Sequence, residues 1–263
     1  MKIGPFKFII GFIILFVLYH AAEYLILFKN NPGGFLTFQI LFFIAAWMIG
    51  RWQFGEGLAA WGLSVKKHFA VQLLLGMMMG IILYGLTYFI NLAAGVELKV
   101  ALPQFSAIIG SLLLFIFGNL FSSFSEDVLT RGYLYRHLNG KVNVLLFILI
   151  SAAVYLFNHI YRLGDGTDTY LYLFLLGIIY VIPLLLTKRL WFTGGMHWAG
   201  NCFFYFTHNI VQTVPGKTDF SANYTLCICI LVMIPVNYYV LKTMDMIDNG
   251  NEQPVRNGKL RVV

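Results

Sequence analysis

The residues of this sequence that could carry out chemistry are ionisable and amide side chains inside long apolar stretches. They occur in three separate stretches and are Glu126, Asp127, Arg131, His159, His197 and Asn201. An ionisable side chain near the centre of a bilayer costs about 2.5 to 3.5 kcal/mol on insertion scales. Each of these residues is therefore a candidate for a functional role or for a specific polar pair.

The residue types favour hydrolysis by an activated water. A carboxylate and an imidazole that share a water can remove its proton as the water attacks a carbonyl carbon, and we predict this role for Glu126 and His159. A second imidazole and an amide can donate hydrogen bonds to the oxyanion that forms, a role that suits His197 and Asn201. Because no serine lies within a turn of either histidine, water is the simplest nucleophile.

The remaining polar residues of the apolar stretches favour structural roles. Asp127 and Arg131 are four residues apart, so they share a helix face and are predicted to form an ion pair near the site. His20 and Glu23 are interpreted as a satisfied pair inside the membrane, and His208 as an interfacial residue. The three cysteines lie in apolar stretches and are predicted to be reduced packing residues: Cys202, Cys227 and Cys229.

The elements that must position these residues are predicted to be helices of an all-α, polytopic transmembrane bundle of about eight helices. The chain of 263 residues is 59% hydrophobic and 11% charged, with a mean hydropathy of +0.78, which excludes an ordinary soluble globule. A helix needs about 20 residues to cross the hydrocarbon layer. The predicted spans are Phe8–Phe28, Phe35–Ile49, Phe69–Ala94, Phe105–Phe124, Val142–Ile160, Tyr170–Thr187, Leu190–Phe206 and Tyr224–Leu241.

The basic residues predict the orientation of this bundle. With eight spans and a cytoplasmic N-terminus, 14 of the 18 Lys and Arg residues fall on the cytoplasmic side. The other four are Lys29, Lys99, Arg162 and Lys217. We therefore expect an integral, multi-pass protein of the plasma (inner) membrane with both termini in the cytoplasm. The net charge of +7 does not indicate nucleic-acid binding, because the basic residues are scattered singly between apolar stretches.

The sequence is divided into three segments. Residues 1–57 are predicted to hold the first two helices, residues 58–245 a catalytic transmembrane core, and residues 246–263 a polar cytoplasmic tail. Between the second and third spans, Leu58 to Leu63 is predicted to form a short element in the cytoplasmic interface, with Trp61 at the level of the headgroups.

The fourth and fifth spans are predicted to form a hairpin around Asn139-Gly140, which brings Glu126 and His159 to similar depth. The fourth helix is expected to continue to about His137 and to protrude into the cytoplasm. The polar groups would then meet in the cytoplasmic half of the membrane. Close approach of the seventh helix to its neighbours is expected at its small residues, Gly194, Gly195, Ala199 and Gly200.

Three segments of the sequence resemble the signature motifs EExxxR, FxxxH and HxxxN of the CAAX protease and bacteriocin-processing family. They are Glu126 to Gly132, Tyr155 to His159, and His197 to Asn201, with Asp127 in place of the second glutamate and Tyr155 in place of phenylalanine. The resemblance covers roughly Leu58 to the end of the eighth span. It implies an intramembrane endopeptidase in which Glu126 and His159 activate water and His197 and Asn201 form the oxyanion hole.

The resemblance also implies the partners: membrane lipid, and a peptide or lipidated protein as substrate, including bacteriocin or pheromone precursors. No cofactor is favoured, since the HExxH signature is absent, but zinc remains an alternative with Glu126, His159 and His197 as its ligands. A catalytically silent immunity or scaffold protein of the same fold is the main alternative function. A transporter is less favoured because no inverted repeat is visible.

Overall fold

The computed structural model describes residues 4–101, 105–162 and 164–248, and this part of the chain is almost entirely helical. Its α-helices are α1 Pro5–Lys29, α2 Pro32–Phe54, α3 Phe69–Ala93, α4 Phe105–Asp127, α5 Tyr133–Leu138, α6 Val144–Asn158, α7 Thr167–Thr187, α8 Trp191–Tyr205 and α9 Ala222–Thr243. The predicted all-α polytopic bundle is confirmed. Most of the predicted polar tail, residues 249–263, lies outside the described residues.

Four short helical turns connect or extend these helices. They are the 3-10 turns Gly57–Trp61 and Ile160–Arg162 and the π-helical turns Val128–Gly132 and Phe206–Ile210. The turn Val128–Gly132 joins α4 to α5 without a break, so the described residues form eight continuous helices, as the sequence predicted.

Six of these helices are long and apolar enough to cross a membrane, and α6 is shorter than predicted. It has 15 residues, which corresponds to about 22 Å at the α-helical rise. α8 also has 15 residues, but the π-helical turn Phe206–Ile210 continues it past the predicted end at Phe206. α6 begins late because the side chain of Asn143 caps it, accepting from the backbone N–H of Leu146 at 2.8 Å. It ends at Asn158 because His159 leaves the helical conformation, with φ of −85° and ψ of 50°.

A two-stranded antiparallel ribbon lies at one end of the bundle. Its strands are β1 Glu97–Lys99 and β2 Thr213–Pro215, and Leu98 faces Val214 across the pair. We call this end the ribbon end: α1, α3, α6 and α8 finish there, and α2, α4, α7 and α9 begin there. The turn Gly57–Trp61 and the connection from α5 to α6 lie at the opposite end.

The end of α5 does not protrude from the bundle, contrary to the prediction. Nε2 of His137 lies 2.9 Å from Oε1 of Gln53 near the end of α2, and its ring packs against Phe8 near the start of α1. The amide of Gln53 donates in turn to the carbonyl of Lys7 at 2.8 Å. These contacts hold the ends of three helices at one level, since each polar group finds its partner on a neighbouring helix.

Trp61 is buried rather than placed among headgroups, which corrects a second prediction. Its side chain is 1% exposed, and its indole N–H donates to the carbonyl of Ala46 at 2.8 Å. The ring packs on Tyr133 with 5.0 Å between centroids. A Cβ added at Gly132 would lie 2.5 Å from the carbonyl oxygen of Trp61, so the turn Gly57–Trp61 rests directly on the π-helical turn.

α3 and α8 pack with their backbones in contact. A Cβ added at Gly76 or Gly80 of α3 would lie 2.0 Å or 2.2 Å from the carbonyl oxygens of Phe192 and Met196 in α8. The approach is mutual, since a Cβ at Gly195 would lie 2.3 Å from a carbonyl oxygen of α3. Small residues allow such contact between membrane helices, and here they fix the helix that carries His197.

Candidate active site

Glu126 lies at the end of α4 between the imidazoles of two other helices. Its Oε1 is 3.6 Å from Nδ1 of His159, and its Oε2 is 3.6 Å from Nε2 of His197. The side-chain amide of Asn158 donates to Oε1 at 3.2 Å. Glu126 is 4% exposed. The structure thus brings together the carboxylate and both imidazoles that the sequence singled out.

The π-helical turn Val128–Gly132 begins two residues after Glu126. Its hydrogen bonds close at five residues, so the N–H of Tyr133 donates to the carbonyl of Val128. Such a turn inserts one residue into a helix and is frequent at functional sites. The inserted residue rotates the side chains of α5 about the helix axis relative to those of α4. As a result, α5 packs against Trp61 while Glu126 faces the histidines.

Asp127 and Arg131 form a fully buried ion pair beside the site. Nη1 of Arg131 donates to Oδ1 of Asp127, and both side chains are 0% exposed. The guanidinium group lies over the ring of Tyr155, with its carbon 4.4 Å from the centroid, and 5.0 Å from that of Tyr180. These cation–π contacts help to compensate for burying the charge.

Asp127 also contacts His197, a contact that the sequence analysis did not include. Nδ1 of His197 lies 3.2 Å from Oδ1 of Asp127, and its ring stacks on Tyr180 with 4.8 Å between centroids. A carboxylate at Nδ1 fixes the orientation of the ring, so that Nε2 faces Glu126. The sequence did contain one signal for this contact. Glu126 and His197 were expected at the same depth, so Asp127, the residue next to Glu126, could also have been expected to reach the ring of His197.

Asn201 lies one helical turn beyond His197 and borders a cavity. Its side-chain amide donates to Oγ of Ser123 in α4 at 3.5 Å. The cavity has a volume of about 130 Å³ and is lined by Tyr84, Tyr155, His159, Arg162, Tyr172, Leu173, Leu176, Asn201, Phe204, Asn223 and Leu226. The predicted residues His159 and Asn201 therefore share one cavity, and Oε1 of Glu126 lies 3.6 Å from Nδ1 of His159.

The site lies at different distances from the ends of the helices that carry it. Twelve residues separate Glu126 from the end of α5 at Leu138, which corresponds to about 18 Å at the α-helical rise. His197 lies six residues after the first residue of α8, which corresponds to about 9 Å. The cavity beside His159 reaches the ribbon end, where Arg162 follows α6 and Asn223 lies in the first turn of α9.

α1 also reaches the site, through a residue that the sequence analysis missed. Tyr19 is 2% exposed and lies close to Glu126, and its hydroxyl donates to Oε1 of Glu23 at 3.4 Å. The predicted pair of His20 and Glu23 is present, with Nδ1 of the ring 3.0 Å from the carboxylate. Tyrosines at helical spacing in an apolar helix resemble ordinary packing residues, so no pattern distinguished Tyr19.

His208 belongs to a second, separate pair at the ribbon end. Its Nε2 lies 2.9 Å from Oε1 of Glu97 in β1, and the amide of Asn91 donates to the other carboxylate oxygen at 3.1 Å. This pair connects the π-helical turn after α8 to the ribbon. It is a partly buried Glu–His contact that is distinct from the candidate active site.

The three candidate zinc ligands lie close together, with Glu126 3.6 Å from the imidazole of His159 and 3.6 Å from that of His197. Within the described residues, no group of three or more His, Cys, Asp or Glu side chains has the arrangement of a metal site. Nδ1 of His159 faces both Glu126 and the carbonyl of Tyr155, which lies 2.8 Å away. Separations of 3.6 Å are longer than direct hydrogen bonds, so a group bound between these side chains would connect them.

The fold and the site together define a polytopic membrane protein with a buried Glu–His centre. Residues 108–203 match the family model described as type II CAAX prenyl endopeptidase, Rce1-like. The match includes all six residues singled out at the start and confirms the resemblance to the CAAX protease family over this segment. A search of curated proteins found no match.

Proposed function

We propose that this protein is an intramembrane endopeptidase that hydrolyses a peptide bond in a membrane-associated or lipidated peptide or protein. One observation carries the proposal: a buried carboxylate, Glu126, lies 3.6 Å from the imidazole of His197 and 3.6 Å from that of His159, which lines a cavity. Such a carboxylate can act as a general base toward a water that enters the cavity. The family match over residues 108–203 supports the same activity.

In the proposed mechanism, Glu126 and His159 activate the water. The side chain of His159 is 17% exposed and lines the cavity, so it can contact a water that Glu126 also contacts. Its Nδ1 faces the carbonyl of Tyr155 at 2.8 Å, which fixes the ring and leaves Nε2 for the water or the leaving group. Asn158 holds the carboxylate of Glu126 in place.

His197 and Asn201 are proposed to stabilise the oxyanion. Nδ1 of His197 contacts Asp127, which orients the ring so that its other nitrogen can face the reacting carbonyl. Asn201 lies one turn further along α8 and presents its amide to the cavity. Both residues are on the helix that α3 holds by direct backbone contact, which limits their movement.

The membrane setting is part of the proposal. The described chain begins and ends at the same end of the bundle, because Phe8 packs on His137 and the N–H of Asp248 donates to the carbonyl of Leu186 near the end of α7. We propose that this end is cytoplasmic in the plasma (inner) membrane.

We also propose that residues 58–245 form the catalytic core and that the substrates include bacteriocin-type precursors.

The activity is tested by comparing membrane peptidomes of cells that carry wild-type protein or Glu126→Gln. The change keeps the shape of the side chain but removes the base, so peptides released by the wild type should decrease by about 10²- to 10⁴-fold. Glu56→Gln is the matched control, because it alters a carboxylate–cation contact outside the site. Unchanged peptides with Glu126→Gln would contradict the proposal and favour a catalytically silent protein.

Metal dependence is tested in the same assay with a chelator. Because the HExxH signature is absent from the sequence, we propose that the reaction needs no resident metal and that cleavage persists after incubation with a zinc chelator. Loss of cleavage that added zinc restores would contradict this and assign Glu126, His159 and His197 as ligands.

A further inference from the structure

A further cavity lies at the ribbon end, between the end of α3, the π-helical turn after α8 and the start of α9. Its volume is about 150 Å³. It adjoins the cavity beside His159, since Tyr84 and Phe204 belong to the walls of both. The residues that line it do not include Glu126, His159 or His197. A ligand in this cavity would therefore occupy a site that is separate from the candidate active site.

Glu97 brings a negative charge to this cavity. Its side chain is 10% exposed, and its Oε1 lies 2.9 Å from Nε2 of His208. Nδ1 of His208 lies 2.8 Å from the hydroxyl of Thr207. A neutral imidazole satisfies both contacts, because it can donate from Nε2 to Glu97 and accept at Nδ1 from Thr207. Glu97 then keeps its charge, and a buried carboxylate favours a bound cation.

Asn91 adds a buried acceptor that has no partner. It is 2% exposed and lines the same cavity, and its side-chain amide donates to Oε2 of Glu97 at 3.1 Å. Because only the nitrogen of an amide can donate to a carboxylate, the other amide atom is the oxygen. This oxygen, Oδ1, has no hydrogen-bond partner among the described residues. A buried acceptor without a donor is costly, so a ligand with N–H groups would satisfy it.

Aromatic rings form much of the remaining wall. Tyr84 and Tyr88 belong to α3, and Phe203 and Phe204 belong to α8. The faces of such rings attract organic cations. A metal ion fits this wall less well, because Ca²⁺ takes about six to eight oxygen ligands. A quaternary ammonium has no N–H group and would leave Oδ1 of Asn91 without a donor, so the chemistry favours a primary ammonium.

We propose that this cavity binds the primary ammonium group of a phospholipid headgroup. The cavity lies where α3 ends at Ala93 and α9 begins at Ala222, which is the level at which membrane helices meet headgroups. Lys99 is exposed and follows Glu97 by two residues in β1, so it lies on the same face of the strand, about 7 Å away. A headgroup that carries a phosphate beside its ammonium meets both charges. The inference does not depend on hydrolysis at Glu126.

The test measures lipid binding to the purified, full-length protein in detergent by native mass spectrometry. The probes are phosphatidylethanolamine, its N-methyl and N,N-dimethyl derivatives, and phosphatidylcholine, all with the same acyl chains. These lipids share the phosphate and differ in the number of N–H donors. We expect the affinity to fall with each methyl group, and by at least tenfold from phosphatidylethanolamine to phosphatidylcholine. Equal affinities for these two lipids would overturn the proposal.

Glu97→Gln and Asn91→Leu test the location of the site. Each should bring the affinity for phosphatidylethanolamine to within about threefold of that for phosphatidylcholine. An unchanged affinity for phosphatidylcholine shows that the variant is folded. Glu56→Gln is the matched control at the opposite end and should keep the tenfold preference. A preference that persists in both cavity variants would overturn the proposal. If neither variant folds, the methylation series on the wild-type protein decides.

A peptide amine is the competing occupant, and a competition experiment distinguishes it from the lipid. A lysine-containing peptide with a blocked N-terminus is added in hundredfold excess to the complex with phosphatidylethanolamine. We expect the lipid to stay bound, because the peptide has no phosphate for Lys99. Displacement of the lipid by this peptide, in the wild type but not in Glu97→Gln, would assign the cavity to a peptide amine and overturn the proposal.

Discussion

At the scale of single residues, the site depends on the carboxylate of Asp127, which contacts both Arg131 and His197. This carboxylate accepts a hydrogen bond from Arg131 and contacts Nδ1 of His197, so it both neutralises a buried cation and orients an imidazole. The shorter side chain of aspartate suffices because both partners reach it from close range. This explains why the departure from the EExxxR pattern leaves the arrangement of Glu126 and the two histidines intact.

Arg131→Met should destabilise the protein strongly. It would leave the carboxylate of Asp127 buried without its cation, which typically costs about 3–5 kcal/mol. Arg136→Met is the control, since the pair of Arg136 with Glu56 is exposed and such pairs contribute about 0–1 kcal/mol. Thermal unfolding in detergent measures both variants, and equal losses of stability would contradict the assignment of Asp127 and Arg131 as the buried pair.

The candidate residues could be predicted from the sequence because charged and amide side chains are conspicuous in apolar helices. Glu126, His159 and His197 indeed lie together. The contact of Asp127 with His197 and the approach of Tyr19 could not be predicted, because both depend on how helices distant in sequence pack. The same holds for Trp61, whose burial follows from a hydrogen bond to Ala46.

At the scale of elements, the pairing of α3 with α8 positions His197 and Asn201. The backbones touch at Gly76, Gly80 and Gly195, so small displacements of one helix move the other. The predicted close approach of this helix is confirmed at Gly195. The length of α6 was predicted less well, because apolar residues continue past Asn158, where the backbone leaves the helical conformation. α8 is continued by its π-helical turn to Ile210, beyond the predicted end at Phe206.

Gly80→Ala should separate α3 from α8 and lower both stability and cleavage. The new Cβ would lie 2.2 Å from the carbonyl oxygen of Met196, and overpacking of this kind costs about 1–3 kcal/mol. Gly85→Ala on the same helix is the control, because its Cβ would lie 3.6 Å from the ring of Phe203, an ordinary contact. A melting temperature of Gly80→Ala equal to that of Gly85→Ala would show that this contact is not needed.

At the scale of the whole molecule, the chain is a bundle whose two ends differ. The opposite end holds the aromatic packing of Trp61, Tyr133 and His137 and a cavity of about 400 Å³ beside Gln53 and Arg136. The cavity beside His159 extends to the ribbon end. The sequence predicted the even number of helices and the segregation of basic residues. The predicted protrusion of α5 conflicts with its contacts to Gln53 and Phe8.

The central claim is that Glu126 and His159 act together on one water. Residues that act as a unit are non-additive, so losing one removes most of what losing both removes. The most direct measurement is the rate of peptide release by Glu126→Gln, His159→Gln and the double variant in purified, reconstituted protein. The account predicts that each single variant is reduced by at least 10²-fold and that the double variant is within a few-fold of them. Losses that multiply in the double variant, or cleavage that survives either single change, would contradict it.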